Sequence, residues 1–160
     1  MTDYVHLRIE GLRLQNPGSY NNAAVLNLNV MKYLPMYIAK SSIDKIFVCF
    51  PDPHFKTCKF KRRMISQSML TEFAYVLKPF GRLYFISDVE SLHEWHMAKC
   101  LEHGCFRELL DVDDVDICVK LMKETTEEGI KVERNGGKKW NGVFERVSDE
   151  EVFSKGSVFA

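Results

Sequence analysis

Asp52 stands between two prolines, in Phe50-Pro51-Asp52-Pro53, directly after the apolar run Ile46 to Phe50. Proline on either side restricts the backbone and removes amide donors. A carboxylate held this way is well oriented toward a ligand, although the same residues also suit an ordinary turn. Cations follow at once: Lys56, Lys59, Lys61, Arg62 and Arg63, with Phe55 and Phe60 interleaved. Cations meet phosphates, and aromatic rings stack on unpaired bases. The alternative is a solvated charged loop. Asp88 ends the next apolar run, within Ser87-Asp88-Val89. It either caps the helix that follows or accepts hydrogen bonds from the amino groups of a base.

Other polar groups read less sharply. Thr125, Thr126, Glu127 and Glu128 form an ordinary capping pattern before a helix. Gly136-Gly137, with Arg134 before and Lys138-Lys139 after, does not follow a strand and is no dinucleotide loop. His93, His96, Cys100, His103 and Cys105 match no zinc spacing, so no metal site is expected. No Ser-His-Asp or Cys-His set is supported.

The elements that must position these residues alternate. Thr2 or Asp3 caps a short helix with Val5, Ile9 and Leu12 on one face, and residues 15–22 form a loop. Ala23 to Leu28 reads as a strand ending at Asn29, and Lys32 to Lys40 as a helix or turn around Pro35. Ile46 to Phe50 suits a strand covered on both faces. Ser66 or Ser68 caps a helix burying Met69, Leu70, Phe73, Ala74, Val76 and Leu77, which ends at a Pro79–Gly81 turn. Leu83 to Ile86 is another buried strand. Ser91 to Glu102 is a helix using Leu92, Trp95, Ala98 and Leu101. Phe106 to Leu110 suggests a strand, Asp111 to Asp116 a surface loop, and Glu127 to Arg134 a helix. Val143 to Val147 reads as an edge strand, with a frayed tail over 149–160.

Such alternation predicts an α/β sheet with parallel members in a single domain spanning 1–160. In these sheets the ligand crevice lies beyond the carboxyl ends of the strands, where Asn29, Asp52 and Asp88 fall. The composition is globular, with 46% hydrophobic and 28% charged residues. The formal net charge is zero, so nucleic-acid contact requires a local basic patch. Five cysteines without a CxxC pair suggest a reduced intracellular protein. No signal pattern or membrane-length apolar run is present, so a soluble cytosolic or nuclear protein is expected, with no membrane partner.

Three segments carry a resemblance: FPDPHFK, then KFKRRMISQSMLTEFAYVLKPFGRLYFISDVESLHEW, then TEEGIKVERNGGK. In this order they resemble the eukaryotic tRNA guanine-N(7) methyltransferase catalytic subunit, from about Asp3 to Val147. The resemblance implies a class I (Rossmann-like) methyltransferase sheet, here expected to be incomplete at its N-terminus. The family's glycine-rich first turn and ribose-binding acid have no counterpart in this sequence. It further implies S-adenosylmethionine as donor, the tRNA variable loop as target, a WD-repeat subunit as partner, and a nuclear location with the cytoplasm as a second. By position, Asn29, Val30, Cys49, Thr126, Glu127 and Glu128 match cofactor contacts. Asp52 matches the active-site acid, and Lys56 and Asp88 match substrate contacts. Lys59, Lys61, Arg62 and Arg63 then grip the RNA backbone. Phe80 stands where the family usually has glycine. Two rival readings remain: a non-catalytic fragment or pseudoenzyme that binds only RNA or a partner, and a methyltransferase acting on an exocyclic amine.

Overall fold

The computed structural model describes residues 2–112 and 115–154. They fall into two compact units, 1–34 and 35–160. In the first, helix α1 (Thr2–Gln15) buries no side chain. The Arg13 guanidinium donates to the Tyr20 and Ala23 carbonyls at 3.1 and 2.6 Å, tying the polar loop back to the helix. Residues 23–28, expected as a strand, adopt no regular structure. A strand exists by pairing, and all four strands described lie in the second unit. Helix α2 (Val30–Tyr37) contains Pro35.

The second unit is built on a sheet of order β1-β2-β4-β3. Its strands are β1 (Ile43–Cys49), β2 (Leu77–Ser87), β3 (Phe106–Glu108) and β4 (Trp140–Arg146). β1 runs parallel to β2, while β4 runs antiparallel to both β2 and β3. The helices are α3 (Gln67–Val76), α4 (Glu90–Glu102), α5 (Ile117–Glu124), α6 (Glu127–Arg134) and α7 (Asp149–Ser154). A 3-10 turn covers Thr57–Arg62.

β2 is the spine. Leu83, Tyr84, Phe85 and Ile86 are all fully buried. Alternation along the strand divides them between two faces. Phe85 meets His96 edge-on at 5.1 Å and stacks on Phe144 at 5.9 Å. Tyr84 and Ile86 join Val119, Met122 and Val143 in a second cluster. Each such apolar side chain contributes ~1.5–3 kcal/mol by leaving water. Gly142 is obligatory: a Cβ there would lie 2.4 Å from the Phe85 ring.

Several expectations hold closely. Ser66 caps α3, accepting the Met69 amide at 3.4 Å, and that helix buries Met69, Leu70, Phe73, Ala74 and Val76. Others shift. β2 begins at Leu77, and the expected Pro79–Gly81 turn lies within an irregularity of its ladder with β1. Phe80 there has φ +64°, the left-handed region that favours glycine. β4 is flanked by β2 and β3, so it is no edge strand. β1 is an edge of the described sheet, which leaves Phe47 45% exposed instead of covered on both faces.

α4 buries Leu92, His96 and Cys100, leaving Ala98 and Leu101 exposed. Asp116, expected on a surface loop, caps α5 by accepting the Cys118 amide at 2.9 Å. Its carboxylate also accepts from Arg82 at 2.9 Å and Tyr84 at 2.7 Å. Residues 149–154 of the expected frayed tail are helical. Residues 155–160, and Asp113 and Asp114 of the acidic loop, lie outside the described residues.

Candidate active site

The ladder register decides where the acids emerge. Cys49 pairs with Ile86, and the Phe50 amide donates to the Ile86 carbonyl at 2.9 Å. Asp52 and Asp88 therefore leave neighbouring parallel strands at the same, carboxyl edge. Trp140, at the start of antiparallel β4, pairs with Ser87 and brings the loop after α6 to that edge.

The Pro51-Asp52-Pro53 loop is tightly shaped. Phe50 and His54 both have positive φ, +48° and +44°. Such backbone is costly for residues with side chains and concentrates at functional sites. The Asp52 carboxylate accepts the His54 amide at 2.9 Å and lies 3.4 Å from the His54 ring, yet its side chain stays 71% exposed. It is fixed by its own loop and still open to a ligand.

Beside it, Lys56, Lys59, Lys61 and Arg62 are exposed. Arg63 corrects the expected set. It is 5% exposed, lying over Phe60 at 3.8 Å and over Trp95 at 4.7 Å. A buried guanidinium cannot reach an RNA backbone, so Arg63 leaves the RNA-facing group. Phe60 is engaged in the same cluster, while Phe55 is 71% exposed.

Asp88 opens onto a pocket of about 270 Å³ lined by Glu128, Lys131, Val132, Asn135, Gly137 and Lys138. The structure thus joins the end of β2 to the Thr126–Glu128 segment. Asp52 is not among the residues lining that pocket. Thr126 caps α6, accepting the Gly129 amide at 3.2 Å and donating to the Met122 carbonyl at 2.9 Å. Glu127 begins that helix, and Glu128 pairs with Lys131 at 3.0 Å. Cys49 ends β1 with its side chain exposed. Asn29 and Val30 belong to the first unit, where the Asn29 carbonyl accepts the amides of Lys32 and Tyr33 at the start of α2.

The pocket includes residues that sequence reasoning missed: Lys131, Asn135 and Lys138. Their signal was the helical spacing 128, 131, 132, 135, which places four side chains on one face of α6 and its cap. His96 and His103 have internal roles. His96 is fully buried and neutral, its pKa driven down to about 3 by desolvation, with His93 and Arg63 adding to the shift. His103 bridges Thr71 at 3.2 Å and the Cys105 amide at 3.3 Å.

Residues 2–142 match the sequence family described as "Putative methyltransferase". The chain belongs to that family. Its relatives named tRNA (guanine-N(7)-)-methyltransferase include one from Brugia malayi, 47% identical over 148 residues, covering 92% of this chain and 57% of that protein. The protein of that name from Dictyostelium discoideum is 45% identical over 150 residues, covering 93% of this chain and 54% of its own length. The Schizosaccharomyces pombe protein is 45% identical over 155 residues, covering 92% and 56% respectively. This member of the methyltransferase family spans about half the length of the curated relatives it matches. Its described sheet is the α/β arrangement expected of a class I methyltransferase, with β1 and β2 as the parallel pair.

Proposed function

We propose that this chain carries the catalytic acid and the RNA-facing surface of a tRNA (guanine-N(7)-)-methyltransferase that uses S-adenosylmethionine. The observation behind this reading is the common edge from which Asp52 and Asp88 emerge, with exposed cations following Asp52 in the chain. S-adenosylmethionine, when bound, supplies a methyl group on a positively charged sulfur. Its amino-acid end is zwitterionic, and the pocket beyond β2 offers both signs of charge in Glu128, Lys131 and Lys138. Cys49 and the Thr126–Glu128 segment complete the cofactor contacts proposed within the second unit.

The ring nitrogen N7 of guanine is already a lone-pair acceptor. It needs no deprotonation before it attacks a methyl group. Catalysis is therefore positioning and electrostatics, without a proton-abstracting base. Asp52 holds the purine and favours the positive charge it acquires. Asp88 takes hydrogen bonds from the base. Lys56, Lys59, Lys61 and Arg62 hold the backbone of the variable loop, and the target base is splayed from its stack to reach the site.

The test is to map the methyl group in nucleosides digested from tRNA treated with the enzyme. 7-Methylguanosine supports the reading, and methylation of an exocyclic amine contradicts it. Calorimetry with S-adenosylmethionine separates the binding-only alternative, which predicts no heat of binding. A WD-repeat subunit and a nuclear location belong to the same proposal. Co-purification and imaging in cells test them.

A further inference from the structure

We infer that Arg63 is a positioning residue for Asp52, aiming the Pro53–His54 peptide so that the His54 amide holds the Asp52 carboxylate at the mouth of the sheet. Arg63 is a charged side chain with only 5% exposure. Such burial requires compensating partners. Here the guanidinium carbon lies over the Phe60 ring at 3.8 Å and over the Trp95 ring at 4.7 Å. The Trp95 indole is itself anchored, donating to the Ile65 carbonyl at 2.8 Å. A planar guanidinium packed against two rings that meet edge-to-face is restricted in direction in a way a lysine ammonium is not.

The Nε–H of Arg63 donates to the Pro53 carbonyl at 2.9 Å. That carbonyl belongs to the same peptide unit as the His54 N–H. The His54 N–H donates to the Asp52 carboxylate, also at 2.9 Å. A trans peptide is planar, with its oxygen and its hydrogen on opposite sides. Gripping the oxygen therefore sets where the hydrogen points. One rigid plate links a buried guanidinium to an exposed acid. The positive φ of His54, +44°, is maintained by the surroundings of the loop, and the grip of Arg63 on the preceding carbonyl is one such constraint.

That Asp52 serves methyl transfer rests on the function proposed above; the orientation of its carboxylate does not. The test uses the nitrogen-15-labelled full chain and follows the His54 amide resonance in four proteins: the parent, Asp52→Asn, Arg63→Met and the double variant. A carboxylate acceptor draws an amide proton downfield, so Asp52→Asn moves the His54 proton upfield. Arg63→Met is expected to move it in the same direction by a comparable amount, and the double variant to add little, as coupled residues do. A His54 amide that stays in place in folded Arg63→Met overturns the inference. If Arg63→Met fails to fold, Arg63→Lys keeps the charge and most of the stem, and the amide is expected to move there too. An unmoved amide in the lysine variant is equally fatal.

In the active enzyme, Arg63→Lys is expected to lower kcat ~10-fold or more with KM for tRNA unchanged, as a misplaced catalytic group would. A displaced amide with normal methylation would leave the positioning intact and remove Asp52 from the proposed reaction.

Discussion

Asp52 and Asp116 are both aspartates in connecting segments, and they have opposite fates. Asp116 is 9% exposed and accepts from Arg82, Tyr84 and the Cys118 amide. Asp52 is 71% exposed and accepts from the His54 amide in its own loop. The first acid spends its lone pairs joining α5 to β2. The second keeps most of them facing outward, beside the carboxyl edge of the sheet. Satisfaction by neighbours separates a structural acid from one available to a ligand.

Substitutions sharpen that contrast. Asp116→Ala strands the Arg82 and Tyr84 donors and uncaps α5. It is expected to cost about 1.5–3 kcal/mol, as loss of hydrogen bonds to a charged group does. Asp52→Ala is expected to change stability by no more than ~0.5 kcal/mol, as surface substitutions do. Denaturant unfolding of the two variants compares them directly, and equal losses would erase the distinction.

The contrast extends to pH. Desolvation raises the Asp116 pKa, but hydrogen bonds from Tyr84, Cys118 and Arg82 outweigh it and hold the carboxyl below its usual 3.8. A lowered folded pKa gives stability that is present above the unfolded value and lost as pH falls through the folded one. Tyr84 is shifted the other way, raised from 10.0 to about 12 by burial, with the Asp116 hydrogen bond adding to it. Its contribution is complete below pH 10 and disappears as pH rises toward about 12. Melting temperatures across pH should fall at both ends, with Asp116→Asn flattening the acid limb and Tyr84→Phe the alkaline one. Unchanged limbs would contradict the assigned network.

The smallest effect lies on the basic surface. Lys59→Ala and Arg62→Ala should each weaken tRNA binding and reduce its salt dependence by about one unit of slope per phosphate contact. An unchanged slope in both variants would take these cations off the RNA.

Much of the scaffold was legible because its signals are local. The Leu83–Ile86 run marked a strand buried on both faces. The 127–134 helix was bounded by Thr126 before it and Gly136 after it. Ser66 offered a cap. What escaped depends on distant partners. Strand alternation at 143–147 says which residues face inward but not which strands lie alongside, so the sequence alone does not reveal that β4 is flanked on both sides. Asp116 looked like one more acid in a charged loop, because its partners Arg82 and Tyr84 lie more than thirty positions away. Arg63 reads as one cation among five, and only the packing of Trp95 against it reveals that it is buried. The candidate site was legible where proline and strand end fix Asp52, and illegible where α6 supplies Lys131, Asn135 and Lys138.

Methyl transfer by Asp52→Ala, assayed under single-turnover conditions with saturating tRNA and S-adenosylmethionine, puts the proposed role of that acid to its most direct test. The rate is expected to fall by ~10²-fold or more, the scale of losing one preorganised electrostatic contact, while tRNA affinity is largely kept. Methylation at a near-parental rate would contradict a catalytic part for Asp52.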